Sequence, residues 1–415
     1  MIIDFTLGNS LSFKDNQTLS MVASPPYDIH ASHILDSPDK KLKLLKLAVI
    51  YGSNASGKSN LLSSLNYLKS LVLNSTKNKP DNTFNYIPFL FDKRSSQKPT
   101  FFEINFYCEN IRYNYSISMD RHKIHHEYLS YYPKNYKRNI FMRDLSDTGE
   151  YKYTLGADLK PKRVFEDITL RTSKNVLFLS KASQENSKEI LPIYNWFNSI
   201  LSEELDIDEM AEFIANEDSN KENLLNFLCK QDVDIVDLNI EKLPFLDKIN
   251  EINDIPSEIK TKLLEDYKDK FSYRIQTFHK DNEGNNIPLP FELESQGTQK
   301  LFSLASLLLN DDKEMNKVFY VDELSSALHP LLVRNFIKSF QKSKNQLICV
   351  THDTHLINQD YLRKDQIYFI EKNKEQASEL YSLVEFENIR NDRQNWELRY
   401  LSGSFGATPN LRNYN

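Results

Sequence analysis

Residues 52–59 read Gly-Ser-Asn-Ala-Ser-Gly-Lys-Ser, two glycines framing a short loop that closes on a lysine and a hydroxyl. Glycine lets a backbone curl until successive N–H groups face inward, and such a curl cradles phosphate oxygens. The segment Gly52, Ser53, Asn54, Ala55, Ser56, Gly57, Lys58, Ser59 and Asn60 is therefore expected to hold the phosphates of ATP. Lys58 would place a point charge at the β- and γ-phosphates, and the Ser59 hydroxyl would ligate Mg²⁺.

Far downstream, Val318-Phe319-Tyr320-Val321 runs into Asp322-Glu323. Two carboxylates at the end of an apolar strand lie where α/β sheets present their ligands. In this Walker B reading Asp322 is the metal residue beside Ser59, and Glu323 is the base that polarises a water for attack on the γ-phosphate. A second apolar strand, Gln346-Leu347-Ile348-Cys349-Val350, ends in Thr351-His352-Asp353, which places His352 where it could sense the γ-phosphate. Glu294-Ser295-Gln296-Gly297-Thr298-Gln299 opens another helix. Ser295 is a good N-cap and Gly297 exposes backbone N–H groups, so Ser295, Gly297 and Thr298 form a second candidate phosphate site. Ser326-Ala327-Leu328-His329-Pro330 follows the acidic pair as a loop with proline at a helix start.

These groups need elements to carry them. Leu47-Ala48-Val49-Ile50-Tyr51 predicts the strand that delivers the loop, and leucines at 61, 62, 65, 68 and 71 predict the helix after it. Ile2 to Leu7, Thr18 to Ala23 and Leu44 to Tyr51 read as strands, with a proline-bearing loop over 24–41. Residues 100–132 alternate as an antiparallel meander with turns near Glu109–Asn110 and Asp120–His122, and short strands continue it through 133–164. Residues 188–270 read as a helical insertion, with a strand at Val233 to Ile240 and a helix at Asp254 to Phe271. From Tyr273 strands and helices alternate, which implies a mainly parallel sheet with crossover helices. The expected class is α/β, with an ATPase lobe over 1–187, the insertion over 188–270 and a second ATPase lobe over 271–415.

Hydrophobic residues at 40% and charged residues at 27% suit a globular chain. A net charge of -6 gives no global basic field, so a nucleic-acid contact would need a local patch. Cys108, Cys229 and Cys349 match no metal or disulfide spacing and suit a reducing, cytoplasmic setting. No apolar run approaches the roughly 20 residues that cross a bilayer. The first residues, MIIDFTLGNS, lack the basic lead and apolar stretch of a secretory signal.

Taken in order, these motifs resemble those of ABC-type ATPases of the SMC and RecF branch. The resemblance implies a P-loop head that dimerises around ATP, with Ser295–Thr298 of one protomer meeting the γ-phosphate held by the other. The chain lacks the long coiled coil, and its Glu-Ser-Gln-Gly-Thr-Gln departs from the transporters' Leu-Ser-Gly-Gly-Gln. More narrowly it resembles the AbiL/RloA-type ATP-binding proteins of bacterial anti-phage defence. That resemblance lies in Ser12-Phe13-Lys14, Ile87-Pro88-Phe89, Glu127-Tyr128-Leu129, Leu328-His329-Pro330 and the tail Tyr400 to Pro409. It implies a homodimer or higher even oligomer that controls a separate effector, often a TOPRIM-like nuclease encoded next door. No such nuclease domain follows in this chain, and Gln97 is a candidate for the Q-loop.

Lys134, Lys137, Arg138 and Arg143 lie among Tyr131, Tyr132 and Tyr136, and Lys160, Lys162 and Arg163 form a second basic group. Basic and aromatic residues together can track nucleic acid, or simply form a solvated face. A DNA-repair or chromosome ATPase that clamps DNA is the alternative function. A scaffold that hardly turns ATP over is a third, against which both Asp322 and Glu323 speak.

Overall fold

The computed structural model describes the chain apart from residue 80 and residues 203–206, 246–270, 310–315, 387–394 and 410–415. It forms two compact units: Met1–Leu201 with Asp312–Leu324 and Gln341–Asn415, and Ser202–Asp311 with Ser325–Phe340. The first unit opens with β1 (Ile2–Gly8), β2 (Gln17–Ser20), a hairpin of β3 (Ile34–Asp36) and β4 (Lys43–Leu45), β5 (Leu47–Tyr51) and helix α1 (Lys58–Asn74). Strands β6 (Thr100–Cys108), β7 (Ile111–Met119), β8 (Ile124–Tyr131), β9 (Arg138–Leu145) and β10 (Tyr151–Leu155) follow. Then come α2 (Lys162–Leu170), α3 (Phe178–Ser183), α4 (Leu191–Asn198) and β11 (Ile200–Ser202). The second unit carries α5 (Ile207–Asn216), α6 (Asp218–Lys230), β12 (Asp237–Pro244), β13 (Phe271–Lys280), β14 (Asn286–Pro290) and α7 (Gln296–Leu309). After β15 (Val318–Val321) it resumes with α8 (Pro330–Phe340). The first unit ends with β16 (Gln346–Val350), β17 (Ile367–Lys372), β18 (Ser378–Ser382) and α9 (Trp396–Leu401).

The chain is α/β, as expected. One sheet of the first unit is an antiparallel meander in the order β10-β9-β8-β7-β6-β1-β2. Its β6–β7 turn is a two-residue connection, Glu109–Asn110, with φ of 46° and 65°. Two successive positive φ values give the type I′ turn that matches the twist of a hairpin. The other sheet runs β11-β15-β16-β5-β17-β18, and β15, β16, β5 and β17 pair in parallel. The leucines at 61, 62, 65, 68 and 71 all point from α1 into one core with Phe5, Phe102, Ala48, Ile50 and Val350. Phe106 of the meander stacks on Trp196 of α4, ring centroids 3.8 Å apart. In the second unit β12-β13-β14 form a small antiparallel sheet, and α7 packs on α5, α6 and α8. Among the described residues no helix is long and apolar enough to cross a membrane.

Several local expectations shift. The strand expected at Val233 to Ile240 forms at Asp237–Pro244. The strands expected to 164 end at Leu155, because Pro161 starts α2 and the helical spacing of Phe165 and Ile168 buries both. Of the helix expected over 254–271, residues 254–270 lie outside the described residues, and Phe271 begins β13. Helix α3 is unannounced in the sequence. The buried Glu127 carboxylate accepts from the N–H groups of Phe178 at 2.7 Å and Leu179 at 2.9 Å. An anion at a helix start satisfies donors that the helix itself leaves unpaired.

Candidate nucleotide site

The parallel register sets the site. Val321 of β15 pairs with Cys349 of β16, and Cys349 pairs with Val49 of β5, so the C-terminal ends of these strands lie side by side. Two backbone bonds extend the alignment into the loops: Leu324 N donates to Val350 O at 2.9 Å, and Thr351 N donates to Ile50 O at 3.3 Å. One edge of one sheet thus presents Gly52–Ser59, Asp322–Glu323 and His352.

The loop's glycines have no substitutes here. A Cβ on Gly52 would lie 2.3 Å from the carbonyl oxygen of Ile370. Gly57 has φ +114°, and a Cβ there would lie 2.3 Å from Ser378 Oγ and 2.5 Å from Ser12 Oγ. Ser378 seats the loop by donating to the carbonyl of Ser56 at 2.5 Å, and its oxygen lies 2.8 Å from Ser12 Oγ. Asn60 Nδ2 donates to Ser12 Oγ at 2.8 Å. Lys58 is 6% exposed, and its ammonium donates to the carbonyls of Gly52 and Ser53, each at 2.9 Å.

The charged groups feel one another. Burial lowers the Lys58 pKa, and the carboxylates of Asp322 and Glu323 oppose that shift. Desolvation lowers the His352 pKa, Lys58 adds to the effect, and Glu323 and Asp322 oppose it. His352 is therefore neutral near pH 7. Glu323 sits at φ 51°, a left-handed conformation costly for a residue with a Cβ, and its N–H donates to Asp322 Oδ1 at 3.1 Å. The loop beyond His352 is tied by Asp353, whose carboxylate accepts from His355 N at 3.1 Å and lies 2.8 Å from His355 Nδ1.

Two cavities flank the loop. One of ≈ 700 Å³ is lined by Gly52, Ser53, Asn54, Thr351 and His352, together with tail residues Tyr400–Gly403, Thr408 and Pro409. The other, ≈ 590 Å³, is lined by Ala55–Asn60, Leu11, Ser12, Ile87, Pro88, Leu90, Phe91 and Lys372. The sequence offered no sign of Ser378 or Lys372, and nothing in it placed the tail beside His352. Gln97 ends a turn over Ser95–Gln97 and lines neither cavity.

The second phosphate candidate lies in the other unit. Ser295 Oγ accepts from Thr298 N at 3.1 Å, so it caps α7, and a Cβ on Gly297 would lie 2.8 Å from the carbonyl of Ala327. Glu294 accepts from His279 Nε2 at 2.7 Å, and Gln299 donates to the carbonyls of Phe291, Glu292 and Glu294. These bonds fix the turn ahead of the helix.

One basic residue leaves its group. Arg143 is fully buried, donates to Val176 O and Ser173 O, and lies over the Tyr151 ring at 3.9 Å. It alternates onto the core face of β9 and cannot meet nucleic acid. Lys134, Lys137, Arg138 and Tyr136 remain exposed.

The family model described as "AAA domain, putative AbiEii toxin, Type IV TA system" matches residues 47–358. The chain belongs to this family. Its match begins with the strand that delivers the phosphate loop and runs past His352. Membership bears out the P-loop ATPase reading of the motif order and the narrower resemblance to Abi-type ATP-binding proteins. Among solved structures this AAA-type chain is similar to an SMC head bound to the C-winged helix domain of ScpA, at 13% identity and TM-score 0.43. The match covers 92% of this chain and 97% of that one. It is also similar to the SMC head domain from Thermotoga maritima, at 14% identity and TM-score 0.40, covering 92% and 98%. No curated protein matches the chain.

Proposed function

We propose that this AAA-type chain binds ATP with Mg²⁺, closes into a dimer around it, hydrolyses it, and through that cycle controls a partner effector in anti-phage defence. The observation that carries the ATPase reading is the single sheet edge on which the phosphate loop, the Asp322–Glu323 pair and His352 converge within electrostatic reach of Lys58. The loop suits phosphate, since Gly52 and Gly57 let its backbone curl tightly against Ile370, Ser378 and Ser12 and α1 opens at Lys58. Among the described residues no cluster of three or more His, Cys, Asp or Glu could hold a metal alone. That suits Mg²⁺, which is commonly held by one or two protein oxygens and the nucleotide's own phosphates. Ser59 and Asp322 would hold it, and bound there it would neutralise charge on the transferred phosphoryl group.

Glu323 accepts a proton from water as the water oxygen bonds to the γ-phosphorus and the bond to ADP breaks. Neutral His352 donates to the γ-phosphate and registers its departure. Ser295, Gly297 and Thr298 of a second copy supply the other helix end, which makes the ATP-bound state a dimer. The family's description as part of a type IV TA system supports a role beside a second component. A nuclease from the same operon is the effector the sequence resemblance implies.

The test is the mass of Glu323→Gln with and without ATP and Mg²⁺, in the presence of the protein encoded next door. An ATP-dependent dimer that retains the neighbour supports a gated effector complex. A dimer that ignores the neighbour and captures DNA moves the function to a clamp, for which the exposed Lys134, Tyr136, Lys137 and Arg138 would be the contact. Wild-type turnover in this variant removes Glu323 as the base.

A further inference from the structure

Large apolar side chains stand exposed beside the phosphate loop. Phe91 is 72% exposed, Leu90 65% and Ile87 44%, and all three line the ≈ 590 Å³ cavity with Ser59 and Asn60. Exposed apolar groups gathered in one place mark a binding surface more often than a scattered few do. Their backbone is not loose. Leu11 N donates to Ile87 O at 2.9 Å, and Phe89 N donates to Asn9 Oδ1 at 3.1 Å. Phe89 is fully buried and meets the Phe91 ring edge-on at 5.7 Å. Leu90 and Phe91 are thus presented to solvent from an anchored segment, next to the first turn of α1.

We propose that Phe91, with Leu90 and Ile87, is the base subsite of the nucleotide, taking a purine by stacking. The subsite presupposes the phosphate loop proposed above, because phosphates seated on Lys58 and Ser59 leave the base to extend into the same cavity. The charged residues lining that cavity are Lys58 and Lys372, both cations. The subsite selects purine over pyrimidine by the ring area presented to Phe91, which adenine and guanine share.

The experiment measures ATP, GTP and CTP binding to the full chain by calorimetry, for wild type, Phe91→Ala, Phe91→Trp and Lys58→Ala. The wild type is expected to bind ATP and GTP alike and both about tenfold more tightly than CTP. Phe91→Ala is expected to lose about tenfold in ATP affinity, the scale of one base–aromatic stack, and most of the purine preference. Phe91→Trp keeps the preference. Lys58→Ala weakens all three nucleotides in proportion, and full affinity in that variant would overturn the phosphate loop itself. A purine preference unchanged in Phe91→Ala overturns the subsite, as does a change confined to the dimer's mass, which would make these side chains a contact between copies.

Discussion

Lys58 Nζ donates to the carbonyl oxygen of Gly52 at 2.9 Å, so the loop closes on its own ammonium. The cation is thereby held at the centre of the curl with its pKa lowered by burial. Lys58→Ala removes a desolvated charge and a long stem together, effects that oppose each other, so stability should stay within about 1 kcal/mol of wild type. ATP affinity should fall at least about a hundredfold if Lys58 supplies the charge proposed to face the β- and γ-phosphates. Calorimetric titration beside a thermal melt checks both. A variant that melts normally and binds ATP within about threefold of wild type would count against the loop.

Gly57 offers a sharper structural test. Its φ of +114° disfavours any Cβ, and the space is taken by Ser378 Oγ and Ser12 Oγ. Gly57→Ala should cost about 1–3 kcal/mol for the backbone alone, and more for the collision. Adding Ser378→Ala should return the share of the collision owed to Ser378 Oγ and leave the Ser12 share and the backbone part. Urea unfolding of both variants measures this, and a double variant no more stable than Gly57→Ala would show that Ser378 does not crowd the site.

Residues 52–59 and 318–323, with 346–353, were legible because each motif packs a strand, its end and its chemistry into contiguous residues. Helix α1 was legible because its leucines fall on one face. What escaped depends on partners distant in the chain. Helix α3 starts where Glu127, 51 residues earlier, supplies an anion to Phe178 N. Ser378 reaches Ser56 across 322 residues. Arg143 looks like its basic neighbours in sequence, and its burial follows from strand alternation and the carbonyls that meet it. Local pattern carries none of these contacts.

At Ser295 a substitution can separate helix capping from the proposed γ-phosphate contact. Its hydroxyl caps α7 by accepting from Thr298 N. Aspartate caps a helix as well as serine does, but brings a negative charge. Ser295→Asp should therefore keep the melting temperature and the ATP affinity of one chain, yet abolish the ATP-dependent dimer and most hydrolysis. Light scattering and phosphate release read the two effects. Undiminished turnover in a stable Ser295→Asp protein would rule out this helix end as a γ-phosphate contact.

Glu127 and Arg143 test how the meander holds the start of α3. Both are fully buried, with Arg143 Nη1 3.7 Å from Glu127 Oε2. Burial raises the Glu127 pKa, and Arg143 with three hydrogen-bond donors opposes that rise. Removing one member of a buried pair leaves the other uncompensated, at about 3–5 kcal/mol. Glu127→Ala and Arg143→Met should each destabilise by that order, and the double variant by much less than their sum. Strict additivity in denaturant unfolding would mean the two charges do not compensate each other.

His33 should impose a pH dependence on stability. It is 6% exposed, its Nδ1 donates to Gln366 Oε1 at 2.9 Å, and its ring stacks on His30. Burial pushes its pKa down to about 4, with His30, Arg363 and Lys46 adding to the effect and Gln366 opposing it. An unfolded histidine titrates near 6.5, so between these values the unfolded chain takes up a proton that the folded chain refuses. Stability is therefore lost as pH falls from about 6.5 toward 4, by about 3 kcal/mol in all, and His33 adds no further loss below that. His33→Gln removes the titration and should flatten this part of the curve relative to wild type. Urea unfolding at pH 7.5, 6 and 5 provides the comparison, and parallel curves for the two proteins would show that His33 is protonated as readily in the folded chain as in the unfolded one.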